Sequence, residues 1–472
     1  MTASQVAELG VGELGRLFRK RKLSPVEVVA AVFERVKCFD GQVNAFIRLC
    51  EEAAVAEAKR AEEEIGSGNW RGPLHGVPFA VKDLIDAAGI PTTAGSLVWK
   101  EFRPTEDAPV VQRLKQAGAI LVGKLNLHEL AFGITSRNPH FGNILNPWDL
   151  SASCGGSSSG SAAALAAGFV PLTLGTDTGG SIRIPCALCG VVGVKPTYGL
   201  VSRKGVVPLA WSMDHVGPMA RQVEDIALAL SAMTREPPGG PADSRQGQGD
   251  PGGIAHGDFK KLVVGLPTSH FYEGLREDIK HGVLAAVDNL KSMGARIREI
   301  AIPDIVAADR AAFTILFSEA AACLETHARK RPRDVSETVL DNVRLGMTIP
   351  ATRYIQALRV RSKTVGDMQR IFSEIDLLVV PATMVDAHPI AAEEVAVGGG
   401  RTVDVRSAMT RYTRFFNLTG NPVLCLPCGF SSRKLPIGMQ MVAAPFQEKR
   451  LLAIGSAYQK AFPLEPGVAD LK

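Results

Sequence analysis

Apolar residues recur three and four apart at Val28, Val29, Val32 and Val36, directly after Ser24-Pro25-Val26-Glu27. That spacing predicts an amphipathic helix, with serine, proline and glutamate standing where an N-cap, a first-turn proline and a capping-box acid belong. Glu51 to Ile65, rich in Ala and Glu, predicts a second helix ended by Gly66-Ser67-Gly68, so residues 1–68 read as a helical segment. The period then changes. Val77 to Val81 is a short continuous apolar run, the pattern of a buried strand; Asp107 to Gly118 reads as a capped helix and Ile120 to Gly123 as the next strand. Residues 126–149 read as a long loop with a helix, suited to a pocket wall, and further pocket residues are expected from the helices between 305 and 375 and from 409–442. Ala162 to Ala167 is a small-residue helix and Val170 to Leu174 an apolar strand.

Farther along, Gln222 to Met233 predicts a helix, and residues 237–257, rich in Pro, Gly, Asp and Gln, an exposed mobile loop. Strands at Leu262–Gly265, Ile297–Ile302 and Leu377–Val380 alternate with helices at 275–292, 305–330 and 351–374, and Pro422–Leu426 with Ile437–Val442 complete a sheet. Such βα alternation predicts an α/β fold, a mixed, mostly parallel twisted sheet covered by helices on both faces. No boundary interrupts residues 70–230, so one large domain over 1–472 is expected. Residues 1–68 would clasp its core, 235–258 would form the loop, and 260–472 would supply the remaining strands and pocket helices.

Composition narrows the class. In 472 residues, 46% hydrophobic and 21% charged content is ordinary for a soluble enzyme, and a net charge of +5 is weak. The basic runs Arg19-Lys20-Arg21-Lys22 and Arg329-Lys330-Arg331 lack interleaved aromatics and read as solvated faces, not a nucleic-acid interface. No stretch approaches the roughly 20 apolar residues of a membrane helix, and the N-terminus lacks a secretory pattern. The expectation is a cytoplasmic protein with no membrane or nucleic-acid partner, its basic N-terminal helices suited to a homodimer. Two CxxC pairs, Cys186/Cys189 and Cys425/Cys428, invite a zinc reading, but their surroundings are apolar and strand-like. Buried thiols, with no metal and no cofactor, are expected instead.

Two Ser/Gly clusters, Gly155 to Ser161 and Thr176 to Ser181, are set between apolar runs that demand burial. Flexible linkers lack such runs. Glycine beside a buried serine lets a ligand approach the backbone and lets successive N–H groups converge, which is what an oxyanion hole needs. Lys82 follows a core strand among Phe79, Val81, Leu84 and Ile85, so it is expected to be buried. Gly156-Ser157-Ser158-Ser159-Gly160 also satisfies G-x-S-x-G, but no strand leads into it, and a phosphate loop would need a Gly-Lys-Ser/Thr ending that is missing. His128, His140 and His215 lack a metal-binding spacing and read as structural or pocket-lining.

GGSSSGSAAA, then GTDTGGSIRIP, with GVPFAVKDLID upstream, resemble the signature of the amidase signature family of serine hydrolases. The resemblance is densest from about Leu74 to Asp225 and returns in PVLCLPCGF and LPIGMQMVAAPF. It implies a Ser-Ser-Lys relay. In the family the two serines lie 24 residues apart, a spacing that Ser157 and Ser181 reproduce. Ser181 would then be the nucleophile, Ser157 the bridge and Lys82 the base, with a cis peptide at Gly156–Ser157. The backbone N–H groups of Thr178, Gly179, Gly180 and Ser181 would form the oxyanion hole, and Asp177 and Arg183 would brace the loop, Arg183 being also able to meet an acidic substrate.

The implied activity is hydrolysis of a small-molecule carboxamide through an acyl-enzyme, with the glutaminase component of a tRNA-dependent amidotransferase as the alternative. That component is expected to hold glutamine's amine through an aspartate before an NLxGxP motif. Here SAMTRYTRFFNLTGNP carries Thr410, Arg411 and Arg414 and no acid. Tyr412, Phe415 and Phe416 suggest an aryl or alkyl substrate, and HELAFGITS resembles stand-alone aryl-amide hydrolases.

Overall fold

The computed structural model describes residues 2–234, 259–464 and 467–471; the loop expected at 237–257 lies outside them. One sheet of eleven strands runs through the chain: β1 (Phe46–Leu49), β2 (Pro78–Lys82), β3 (Ile120–Leu125), β4 (Leu172–Asp177), β5 (Val192–Lys195), β6 (His215–Ala220), β7 (Val263–Pro267), β8 (Arg296–Ile300), β9 (Leu377–Pro381), β10 (Val423–Phe430) and β11 (Pro436–Val442). Their order across the sheet is β1-β3-β2-β4-β6-β5-β10-β11-β9-β7-β8. The sheet is mixed. Parallel pairing joins β3, β2 and β4 in one block and β9, β7 and β8 in another, and the pairs between these blocks, like the β1–β3 edge, are antiparallel. Parallel pairing thus follows the two stretches of clearest βα alternation.

Both faces are covered. Phe79 and Val81 of β2 pack into one apolar core and Ala80 into a second, and in β3 Leu121 faces the first while Ile120 and Val122 face the second. A strand buried on both sides has no polar alternation to offer, which is why β2 and β3 read as continuous apolar runs. The helix Pro25–Val43 begins with Ser24 and Glu27 in a capping box and a proline in the first turn, and Glu51–Gly66 follows it.

Several elements differ from the sequence reading. β1 lies inside the segment expected to be wholly helical; it is an edge strand of four residues with only Phe46 buried, too short for its alternation to show. The helix at Pro109–Gln116 is not capped by Asp107, whose carboxylate accepts from Ala88 N–H and pairs with Lys115. Residues 126–149 hold a single 3-10 turn at Glu129–Ala131 in place of a helix, and a short strand at Asp149–Ser153, paired with Leu145–Asn146, does lead up to the first serine cluster, where none was expected. Glu337–Met347 is an additional helix packed against the long Ile305–Lys330. Among the described residues, no helix is long and apolar enough to cross a membrane.

Candidate active site

The parallel block β3-β2-β4 positions the chemistry. Lys82 ends β2 and Asp177 ends β4, so the loops that follow these strands meet at their carboxyl ends, where open α/β sheets place ligands. The first Ser/Gly cluster enters the helix Ser159–Ala166 and the second enters Arg183–Cys189, both wholly buried. Lys82, Ser157, Ser158 and Asp177 are inaccessible to solvent, and Ser181 is 4% exposed.

Lys82 Nζ lies 2.7 Å from Ser157 Oγ, 3.1 Å from Ser158 Oγ and 2.8 Å from Thr176 Oγ1. Burial pushes its pKa down to about 7, against the opposing pull of Asp177 and Asp214. The two serines are not equivalent. Ser158 donates its proton to Thr176 O at 3.0 Å and accepts from Thr176 N–H at 3.2 Å, so it can only accept from the lysine. Ser157 has a proton left to give. The Gly156–Ser157 peptide is cis, and a Cβ on Gly156 would stand 2.4 Å from Thr135 O. Ser158 N–H donates to Ser181 O at 3.1 Å, tying the two clusters together, and among the described residues the Ser181 hydroxyl makes no hydrogen bond.

Asp177 and Arg183 are fully buried and form a bidentate pair, Nε–Oδ2 at 3.0 Å and Nη2–Oδ1 at 2.9 Å. Burial alone raises the Asp177 carboxyl; the charge and hydrogen bonds of Arg183, helped by Asn417, reverse this and hold it well below the usual carboxylate range. Asp177 also accepts from Gly180 N–H at 2.8 Å and Ile182 N–H at 3.1 Å, so it fixes the loop around Ser181. The remaining Arg183 donors go to Thr413 O, Gln440 Oε1 and Asn417 Oδ1. Arg183 therefore has nothing to offer an acidic substrate, and Gly180 drops out of the expected oxyanion set because its N–H is spent on Asp177. Among the described residues the N–H groups of Thr178, Gly179 and Ser181 donate to no partner. Gly180 has φ +129, and a Cβ there would meet Thr413 Oγ1 at 2.4 Å, so only glycine fits.

The three histidines are tied into the frame. His128 N–H donates to Ser157 O at 3.2 Å, and burial lowers its ring pKa to about 4. His140 meets Glu129 at 2.9 Å, and His215 lies between Met213 O and Lys195 Nζ. Cys154, Cys186, Cys189 and Cys425 are buried with their thiol pKa values raised where a shift is resolved, whereas Cys428 is partly exposed.

Tyr412, Phe415 and Phe416, expected to line the pocket, instead pack around Phe271 in the core. Another aromatic group, Phe132 and Phe317 buried in the same core with Phe313 partly exposed beside them, reaches the serine loop through Arg414. Phe313 and Phe317 stack at 4.0 Å, and Phe132 lies 5.1 Å from Phe317. Arg414, paired with Asp309 at 2.8 Å, sits over Phe313, and the open side of Gly179 looks toward Leu316 and Arg414. A cavity of about 390 Å³ borders Thr176, Thr178, Trp211 and Asp214. Asp214 accepts from Thr178 Oγ1 at 2.6 Å, and burial raises its pKa to about 6. Sequence reasoning gave no role to Thr176, Asp214, Asn417 or Gln440, although all four stand in or beside the motifs that carry the family resemblance.

A family model described as Amidase matches residues 27–452. The A component of the glutamyl-tRNA(Gln) amidotransferase of Chloroflexus aggregans is 37% identical over 465 residues, covering 93% of each chain. Among solved structures, a protein from a vestigial complex said to reveal the evolutionary origins of an s-triazine catabolic enzyme superposes with a TM-score of 0.89 at 34% identity, over 98% of this chain and 100% of that one. A crystal structure of amidase gives a TM-score of 0.87 at 34% identity, over 96% and 99%.

Proposed function

This chain belongs to the amidase family of hydrolases acting on carbon–nitrogen amide bonds, and from that premise we propose that it cleaves a small-molecule carboxamide, aryl or alkyl, through a Ser181 acyl-enzyme. The observation that carries the reading is the 2.7 Å contact between a fully buried Lys82 and Ser157. Neutral Lys82 gives two N–H bonds to Ser158 and Thr176 and turns its lone pair to the Ser157 proton. Ser157 in turn takes the proton of Ser181, whose Oγ bonds to the carbonyl carbon. The oxyanion meets the N–H groups of Thr178, Gly179 and Ser181. As the C–N bond breaks, the proton returns through Ser157 to the leaving nitrogen, releasing ammonia or an amine. Water, deprotonated by the same relay, then cleaves the acyl ester to the carboxylate.

Ser157→Ala is expected to abolish amide turnover, whereas Ser158→Ala retains much of it; equal loss in steady-state assays of the two variants would contradict the relay. The partly exposed Phe313, stacked on Phe317 and joined to Gly179 through Arg414, supports an aryl or alkyl acyl group. A second reading, the glutaminase component of an amidotransferase, is favoured by the curated relative named above. Against it, the segment expected to carry an aspartate has Thr410, whose hydroxyl is spent on Arg406 O at 2.9 Å.

Ammonia release by the purified chain decides between them, using glutamine, aliphatic amides, benzamide and arylacetamides with Ser181→Ala as the blank. Turnover of aryl or alkyl amides but not glutamine is expected. Release from glutamine alone, or activity only after partner proteins are added, would move the assignment to the amidotransferase.

A further inference from the structure

Arg406 is a cation without an anion. Its Nη2 donates to Asn342 Oδ1 at 3.1 Å and its guanidinium stands 5.7 Å from the centre of the Phe317 ring. Among the described residues no carboxylate lies within ion-pair distance of it. Nearby arginines are matched: Arg414 is clamped by Asp309, and Arg137, whose charge like that of Arg406 is felt by His128, pairs with Glu393. His128, with its pKa at about 4, is neutral. Asp404, on the preceding turn, raises the pKa of Arg406, but burial and the charge of Arg414 outweigh it, and the side chain is half-buried. The aromatic group around Phe317 therefore holds one uncompensated positive charge. It is continuous with the serine loop: Gly179 faces Leu316 and Arg414, Arg414 covers Phe313, Phe313 stacks on Phe317, and Phe317 lies under Arg406.

We propose that Arg406 receives a carboxylate carried on the acyl portion of the substrate, so that the amides taken are half-amides of dicarboxylic acids or similar anionic amides. The proposal rests on the hydrolase reading above and names its substrate class. A planar fork with free donors beside an apolar wall suits a carboxylate at the end of a short carbon chain. Asn342 holds the fork in place from behind, its amide donating in turn to Phe132 O at 3.1 Å.

The test compares succinamate, glutaramate and adipamate with butyramide, valeramide and hexanamide, their uncharged counterparts of equal carbon number, at low salt. The carboxylated series is expected to exceed the neutral one in kcat/KM by about tenfold or more, the scale of a hydrogen bond to a charged group. Arg406→Met should bring the ratio close to one, largely through KM, and Arg406→Lys should restore part of it. Equal turnover of the two series by the wild type, or a ratio that survives Arg406→Met, would overturn the proposal. Calorimetric titration of glutaramate into Ser181→Ala separates this from the reaction itself. Binding that disappears in Ser181→Ala/Arg406→Met supports Arg406 even if no amide is turned over, and absence of binding to folded Ser181→Ala refutes it.

Discussion

Lys82→Ala is expected to lower amide turnover by about 10²–10⁴-fold, the usual contribution of a positioned general base. The wild-type enzyme should show the same dependence through pH alone. Burial holds Lys82 at about 7, and only the neutral amine can take the Ser157 proton. Below about 7 the lysine is an ammonium, so kcat/KM falls about tenfold per pH unit; above it the profile flattens, because the base is already free. Lys82→Arg should be as inactive as Lys82→Ala at every pH, since a guanidinium stays protonated. A kcat/KM profile level down to pH 5, measured as ammonia release, would show that some other group is the base.

The second large effect concerns stability. Arg183→Met is expected to cost about 3–5 kcal/mol, because it leaves the buried Asp177 carboxylate without its counter-charge. Asp177→Asn/Arg183→Met should recover much of the loss, since the pair is then removed and not broken. The deficit shrinks on acidification. In the wild type the depressed Asp177 carboxyl contributes stability above the unfolded pKa, a contribution lost as pH falls through the folded value, while in the variant the unpaired carboxyl takes up its proton. Urea denaturation at neutral and acid pH reads both effects. A loss under about 1 kcal/mol at neutral pH would mean that Asp177 is satisfied by its N–H donors and Asn417 alone, since breaking a buried pair ordinarily costs several times that.

The central chemistry was legible because it is local. Lys82 stands at the end of an uninterrupted apolar run, and each serine lies in a cluster whose flanks must be buried, so strand, helix and loop could be placed from a few neighbouring residues. The spacing that singled out Ser157 came from the family resemblance; its physical counterpart, the Ser158 proton committed to Thr176 O, appears only in three dimensions. Selectivity is the converse case. Phe132, Phe313 and Arg406, to which the proposals above assign it, lie in segments far apart in sequence, while Tyr412, Phe415 and Phe416, which looked like a pocket, turn into the core around Phe271. Gly180 illustrates the same limit: its place in the cluster suggested an oxyanion donor, and only the Asp177 contact shows its N–H occupied.

Thr413 stands where these two halves meet, its Oγ1 donating to Gly179 O at 2.6 Å and filling the space that a side chain on Gly180 would need. Arg414, next to it in the chain, and Arg406, seven residues earlier, instead stand over Phe313 and Phe317. On the proposals above, substitution at 414 or 406 should change which amides are accepted, whereas substitution at 413, one residue away from 414, should disturb the loop that reacts with all of them alike.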